Sequence, residues 1–408
     1  MTKLFEPTQV GDIAVKNRIV MAPLTRNRSP GAVPNDLNVE YYRQRASAGL
    51  IITEATPITH QGQGYADVPG LYTKEALDGW KRVTDAVHAG GGKIVVQMWH
   101  VGRISHTTLQ PNGGKPVSST NRAAKGKTYL VNPDGTGTFA DTSEPRALET
   151  SEIPGIIEDY RKAARAAIDA GFDGVEIHGA NGYLLDQFMR DGINDRTDQY
   201  GGSIENRTRL TFEVVEAVTR EIGAGRTAIR LSPVTPSNDS YDSNPQAVFT
   251  HVVEGLAKYN LAYIHIVEGQ TGGERDYKGG TNPSFDYAAL RAAYEKAGGK
   301  ASWMVNNGYD RDMAIRRRNR PRRPRRLRQA LHRQPGSRRA PAEEPAAQRR
   351  RPGHLLRRRR QGIHGLPADR QGRVGTEWKL RNPAQEAGFL FGAAGSRHLP
   401  PPPSFLCP

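Results

Sequence analysis

The sequence predicts an α/β protein of the (β/α)8, or TIM, barrel class, and two observations carry that expectation. Seven short, β-rich apolar runs recur along the chain, at residues 18–24, 50–58, 93–100, 174–180, 227–233, 262–269 and 301–308. Between them lie segments with apolar residues at three- and four-residue spacing, clearest in residues 157–170 and Ile204–Ile222. Such alternation builds a parallel sheet through right-handed crossovers and closes it into a barrel. Pro233 and Gly308 stop the fifth and seventh strands. An eighth strand–helix unit should follow Gly308, and the text there does not supply one.

Residues 101–152, rich in Gly, Pro, Ser and Thr, are too long for an ordinary connection. They predict an excursion over the barrel mouth, a small hairpin or lid, because long ordered loops usually serve function. The charge is uneven. Residues 1–315 hold 34 Lys+Arg against 37 Asp+Glu, whereas residues 316–408 hold 24 against 5, and this accounts for the net +16 of the whole. The domain reading is therefore a slightly acidic barrel, 1–315, long enough for one large core, followed by a basic tail, 316–408. The single cysteine, Cys407, excludes a disulfide framework and a thiolate metal cluster. The N-terminus lacks the apolar run of a signal peptide, and no stretch approaches the roughly 20 apolar residues of a membrane span. A cytoplasmic, monomeric protein acting on a small molecule, with no membrane partner and no metal, is expected.

The tail has two readings. A disordered basic arm would attract nucleic acid, but arginine runs without interleaved aromatics support only non-specific phosphate attraction. A reading-frame slip explains more, since GC-rich alanine, valine and glycine codons become arginine codons one base over. Permissible codons for residues 316–339, read from the second base, spell out a strand, a phosphate-binding turn and a helix start. The frame slip is the preferred reading, and sequencing the DNA across the codons for residues 313–318 decides it.

Chemistry concentrates where the fourth strand runs into a tight polar turn, Glu176-Ile177-His178-Gly179-Ala180-Asn181-Gly182-Tyr183. His178 and Asn181 can each donate a hydrogen bond, so together they could hold one developing oxyanion, and Tyr183 could supply a proton. A polar cluster at the carboxyl end of a barrel strand is where such enzymes keep their chemistry.

Six separated motifs in the same order give the chain a resemblance to a known family. They are residues 18–26 (Arg-Ile-Val-Met-Ala-Pro-Leu-Thr-Arg), 53–56 (Thr-Glu-Ala-Thr), 97–103 (Gln-Met-Trp-His-Val-Gly-Arg), the His178/Asn181/Tyr183 cluster, 196–203 (Arg-Thr-Asp-Gln-Tyr-Gly-Gly-Ser) and 230–233 (Arg-Leu-Ser-Pro). The chain resembles the Old Yellow Enzyme family of FMN-dependent alkene reductases from Leu4 to about Ala314, nearest the bacterial N-ethylmaleimide and glycerol trinitrate reductase branch.

The resemblance implies FMN and NADPH (or NADH) as cofactors, with electron-poor alkenes or nitrate esters reduced in a ping-pong cycle. It makes Pro23, Leu24 and Ala55 contacts to the flavin ring and Thr25 a hydroxyl donor near C4=O and N5. Gln97 carries the donor and acceptor that the uracil-like flavin edge requires. Arg230, buried at a barrel mouth, needs an anionic or carbonyl partner. Flavin N1/C2=O is that partner in the family, and an ion pair with Glu176 is the structural alternative. His178 and Asn181 grip the acceptor's oxygen and Tyr183 protonates its α-carbon. Trp99 and Tyr65 wall the substrate pocket, with Arg146 reaching in from the excursion. Glu205, Asn206 and Arg207 are assigned to structure, as a helix start.

For the flavin phosphate, Asn307 and Gly308, with Tyr309, supply the first half of a site. The second half, a Phe-Gly-basic turn in the family, exists only in the shifted reading of the tail. The chain as written is therefore expected to hold FMN weakly or to fold badly. A flavin-free barrel lyase or hydrolase is the rival, but it would want a Schiff-base lysine or metal ligands at strand ends. Lys93 lies at the wrong end of its strand and no metal spacing is present. A basic-tail nucleic-acid-binding protein is the second rival.

Overall fold

The computed structural model describes residues 3–270 and 285–319, and the expected frame-slipped tail falls, from residue 320 on, outside them. The chain opens with an antiparallel hairpin, β1 (Thr8–Val10) and β2 (Ile13–Val15). Gly11 turns it at φ 57°, and a Cβ there would lie 2.2 Å from the Gly225 carbonyl oxygen, so only glycine fits. The next strands are β3 (Val20–Met21), β4 (Leu50–Pro57) and β5 (Ile94–Trp99). Residues 101–152 hold the parallel pair β6 (Val117–Ser118) with β9 (Arg146–Ala147), and between them the antiparallel hairpin β7 (Lys127–Val131) with β8 (Gly137–Asp141). Then come β10 (Gly174–Gly179), β11 (Thr227–Leu231), β12 (Tyr263–Val267) and β13 (Ser302–Asn306).

Strands β3, β4, β5, β10, β11, β12 and β13 form one curled parallel sheet in which each pairs with its predecessor among the seven. All seven expected strands are present, each trimmed at one or both ends. The missing eighth unit has a structural counterpart: β3 and β13 are the two edges of the sheet, and among the described residues no strand joins them. Helices α1 (Asp36–Arg43), α2 (Lys74–Ala89), α3 (Ile153–Asp169), α4 (Leu184–Met189), α5 (Ile204–Ile222), α6 (Pro245–Leu256), α7 (Tyr287–Lys296) and α8 (Arg311–Asn319) fill the connections. Their starts are chemically marked: the side chains of Asn35, Thr73, Ser203, Asn244 and Asp286 accept from first-turn backbone N–H groups. Among the described residues no helix is long and apolar enough to cross a membrane.

Strand alternation gives the sheet two unlike faces. Ile51, Ile94, Val96, Met98, Val175, Ile177, Ile229 and Ile264 pack outward in one cluster with helix residues such as Trp80, Tyr160, Val214 and Val252. The inner face is apolar near the strand starts, where Leu50, Ile52, Val95, Ala228 and Tyr263 pack against Val10, Ile13 and Val15 of the hairpin. Burying each of these larger side chains is worth about 1.5–3 kcal/mol. Toward the strand ends the same face turns polar, carrying Gln97, Glu176, His178, Arg230 and His265, all buried. That change of chemistry along one face locates the site.

Candidate active site

Register sets the polar layer. Gln97 on β5 pairs with Glu176 on β10, and His178, one inward position higher, pairs with Arg230 on β11, which pairs with His265 on β12. Gln97 Nε2 donates to Glu176 Oε1 at 2.7 Å, and His265 Nδ1 meets Glu176 Oε2 at 2.8 Å. Burial pushes the Glu176 carboxyl up, but His265, Arg230 and Gln97 outweigh it and hold the group below its ordinary value, so Glu176 is an anion. Burial, with Arg230 beside it, lowers His265, which stays neutral and donates from Nδ1. Among the described residues no ion pair joins Arg230 to Glu176. Among the described residues the buried Arg230 Nε has no hydrogen-bond partner, and neither does His178 Nδ1. Burial first, then Arg230 and His265, drives the His178 pKa well below the usual imidazole value.

Above this layer the aromatic residues converge. Trp99 stacks on Tyr65 at 5.5 Å between centroids and meets Tyr183 edge-on at 4.8 Å; Tyr183 meets His178 at 5.1 Å. The Tyr65 and Tyr183 hydroxyls lie 3.3 Å apart. Burial raises the Tyr183 pKa, which contacts to Tyr65 and Asn238 partly offset, so the phenol keeps its proton. Ala55 is buried on β4, Pro23 is buried just past β3, and Leu24 and Thr25 follow it half-buried.

The turn carrying Asn181 is over-determined. Asn181 is left-handed at φ 59° and Gly182 at φ 77°, where a Cβ would meet Ser237 O at 2.6 Å. Asn181 N donates to Ser232 Oγ at 2.7 Å, Asn238 Nδ2 donates to Asn181 O at 2.8 Å, and Gly182 N donates to Asp186 Oδ2 at 2.8 Å. Asp186 in turn forms a wholly buried ion pair with Arg190, whose guanidinium also donates to Ser232 O and Pro233 O. One pair thereby ties the turn after β10 to the turn after β11.

Two of the expected site residues spend their side chains on protein partners. The Arg146 guanidinium makes a bidentate pair with Glu152, six residues on, at 2.6 and 2.7 Å. Asn307, left-handed at φ 92° ahead of Gly308 at φ 62°, spends its side-chain amide on Glu268 O and Gln270 O. Its side chain shapes the end of β12, and only backbone is left to offer a phosphate. Arg207 is structural, donating to Met189 O and Gly202 O. The sequence reading missed the Asp186–Arg190 pair, Ser232, Asn238 and the Glu176–His265 pair. Only Glu176 left a signal, an acid two residues before His178 on an otherwise apolar strand.

Comparison with known proteins decides the family. Residues 3–315 match the model of the NADH:flavin oxidoreductase / NADH oxidase family. The chain belongs to this family, the Old Yellow Enzymes. Among its relatives is the 12-oxophytodienoate reductase 7 of Oryza sativa subsp. japonica, 43% identical over 323 residues, or 76% of this chain and 80% of the relative. The 12-oxophytodienoate reductase 2 of Arabidopsis thaliana is 48% identical over 267 residues, 65% of this chain and 70% of its own. Among solved structures, morphinone reductase aligns with a TM-score of 0.72 at 45% identity, covering 78% of this chain and 83% of that one. An Old Yellow Enzyme homologue from Zymomonas mobilis gives 0.69 at 40% identity, covering 75% and 82%.

An Old Yellow Enzyme takes FMN and a reduced nicotinamide. The donor set fits the ring of that cofactor. A buried, unpartnered Arg230 Nε requires an acceptor to offset its desolvation, and flavin N1/C2=O is one. Gln97 supplies a neutral amide on the same polar layer, and the small, buried Ala55 permits close approach.

Proposed function

We infer that the chain is a reductase of electron-poor alkenes, with nitrate esters as alternative acceptors, using NADPH or NADH in a ping-pong cycle. When bound, FMN supplies the hydride carrier between nicotinamide and acceptor. Pro23, Leu24, Ala55, Thr25, Gln97 and Arg230 would hold its ring, and the backbone at Asn307 and Gly308 one side of its phosphate. Arg230 offsets the negative charge that reduction places beside it.

His178 and Asn181 bind the acceptor's carbonyl or nitro oxygen. Because His178 is neutral, it acts as a hydrogen-bond donor rather than a cation, and its worth lies in being fixed where charge develops. Drawing charge onto that oxygen makes the β-carbon of an enone electrophilic. Tyr183, protonated and held edge-on to His178 and Trp99, delivers the proton to the α-carbon. Trp99 and Tyr65 wall the mouth and exclude water. Reductant and acceptor use the same mouth in turn, which is why no separate dinucleotide fold is required.

The observation that carries this reading is the pair of buried, unpartnered donors, His178 Nδ1 and Arg230 Nε, on paired positions of adjacent strands. The test is an anaerobic titration of the FMN-loaded chain: NADPH or NADH bleaches the flavin, and cyclohexenone restores its colour. Recovery with glycerol trinitrate in place of the enone supports the nitrate-ester branch. A flavin that bleaches but is reoxidised by neither acceptor removes the reading.

A further inference from the structure

Glu176 is absent from the mechanism above, yet it is wholly buried in the middle of the polar layer and both its oxygens are engaged. A carboxylate only accepts hydrogen bonds. The group of Gln97 that lies 2.7 Å from Glu176 Oε1 is therefore its NH2, and the orientation of that amide is dictated rather than free. Residues on β12 and β4 complete the arrangement. As an anion Glu176 accepts at Oε2 from His265 Nδ1, and Thr53 Oγ1 accepts from Gln97 N and pins the backbone beneath. With its nitrogen turned to Glu176, Gln97 keeps its carbonyl oxygen as an acceptor and the second N–H of the amide as a donor.

We propose that Glu176 is a positioning residue that holds the Gln97 amide in one orientation, with its carbonyl oxygen as the acceptor, selecting a ring whose edge presents an N–H between two carbonyls. This rests on reading the mouth as the flavin site, and N3–H of the isoalloxazine is that group. Glutamine alone could turn its amide over and exchange the places of its donor and acceptor; the buried anion removes that choice. Glu176 touches neither cofactor nor acceptor in this scheme and acts only through Gln97.

The test compares FMN with its N3-methyl derivative, which lacks the donor, by equilibrium fluorescence titration of the full chain and of Glu176→Gln. The unaltered chain should bind FMN at least about tenfold more tightly than N3-methyl FMN, the worth of one buried hydrogen bond. In the variant the new carboxamide could accept or donate, so Gln97 could turn over, and the preference should fall to within about threefold. A purely structural role for Glu176 would weaken both ligands equally and leave the ratio unchanged, which overturns the proposal. The unaltered chain is decisive even where the variant does not fold. Equal binding of the two flavins overturns the role of Glu176 and leaves the flavin reading standing, whereas binding of neither overturns both.

Discussion

The inner face of the sheet carries two layers built from the same strands, and they obey different rules. Near the strand starts, Ile52, Val95, Ala228 and Tyr263 pack against the N-terminal hairpin. One inward step along β5, β10, β11 and β12, the positions become Gln97, Glu176, Arg230 and His265. The lower layer is apolar and closed by the chain's own residues. The upper layer is polar, and two of its donors, His178 Nδ1 and Arg230 Nε, have no hydrogen-bond partner among the described residues. A barrel keeps its stability in the first and stores binding capacity in the second, because an unsatisfied buried donor costs about 1–3 kcal/mol until a ligand meets it.

Substitutions in the two layers should therefore separate chemistry from folding. The largest effect is expected at His178. His178→Ala should lower kcat/KM for an enone by about 10²–10³-fold, the cost of one oxyanion donor, while the dissociation constant for FMN and the melting temperature change little. A loss of flavin in parallel with activity would merge the two layers and break the contrast.

Ile52→Ala, in the lower layer, should cost about 2–5 kcal/mol in urea unfolding and leave the kcat of the folded enzyme unaltered. A kcat that falls in step with stability would show that the apolar layer also sets the site.

The outer side of β4 offers a sharper case. Glu54 is buried between the Arg26 backbone, Tyr42 and Asn38, and burial raises its pKa to about 7. A folded pKa above the unfolded value of about 4.3 means that the native state binds the extra proton. This contribution is complete below the unfolded pKa and is lost as pH rises through about 7. Across that window stability should fall by about 3 kcal/mol, and Glu54→Gln should flatten the profile. Unfolding curves at pH 5 and 8 measure it, and an equal slope in both proteins rejects the assignment.

The smallest effect concerns the phosphate. Because the Phe-Gly-basic turn is missing from the tail as written and Asn307 has spent its amide on Glu268 O and Gln270 O, FMN should be preferred over riboflavin by less than about tenfold. A preference of a thousandfold would mean that some other part of the chain completes the site.

What was legible in the sequence follows from how local each signal is. The seven strands could be read because each is a short run with apolar residues at its centre, most of them Val, Ile, Leu or Met. α5 could be read from end to end because its spacing is regular and Ser203 caps it. α3 begins before its apolar spacing suggests, at Ile153, with Pro154 in its first turn, where a missing N–H costs nothing. The hairpin β1–β2 was overlooked although Gly11 marks its turn.

In the site, His178, Asn181 and Tyr183 announced themselves because six residues contain all three. Ser232 and Asn238 hold Asn181 from 51 and 57 residues away, and His265 reaches Glu176 across 89, so no spacing rule connects them.

In the proposed function a flavin ring rests on the polar layer against Arg230. Equilibrium titration of the full chain with FMN, followed by quenching of flavin fluorescence and run beside Arg230→Met, tests this directly. Saturable binding of one FMN per chain, weakened tenfold or more by the substitution, is the expected result. No saturable binding, or equal affinity in the two proteins, would contradict it.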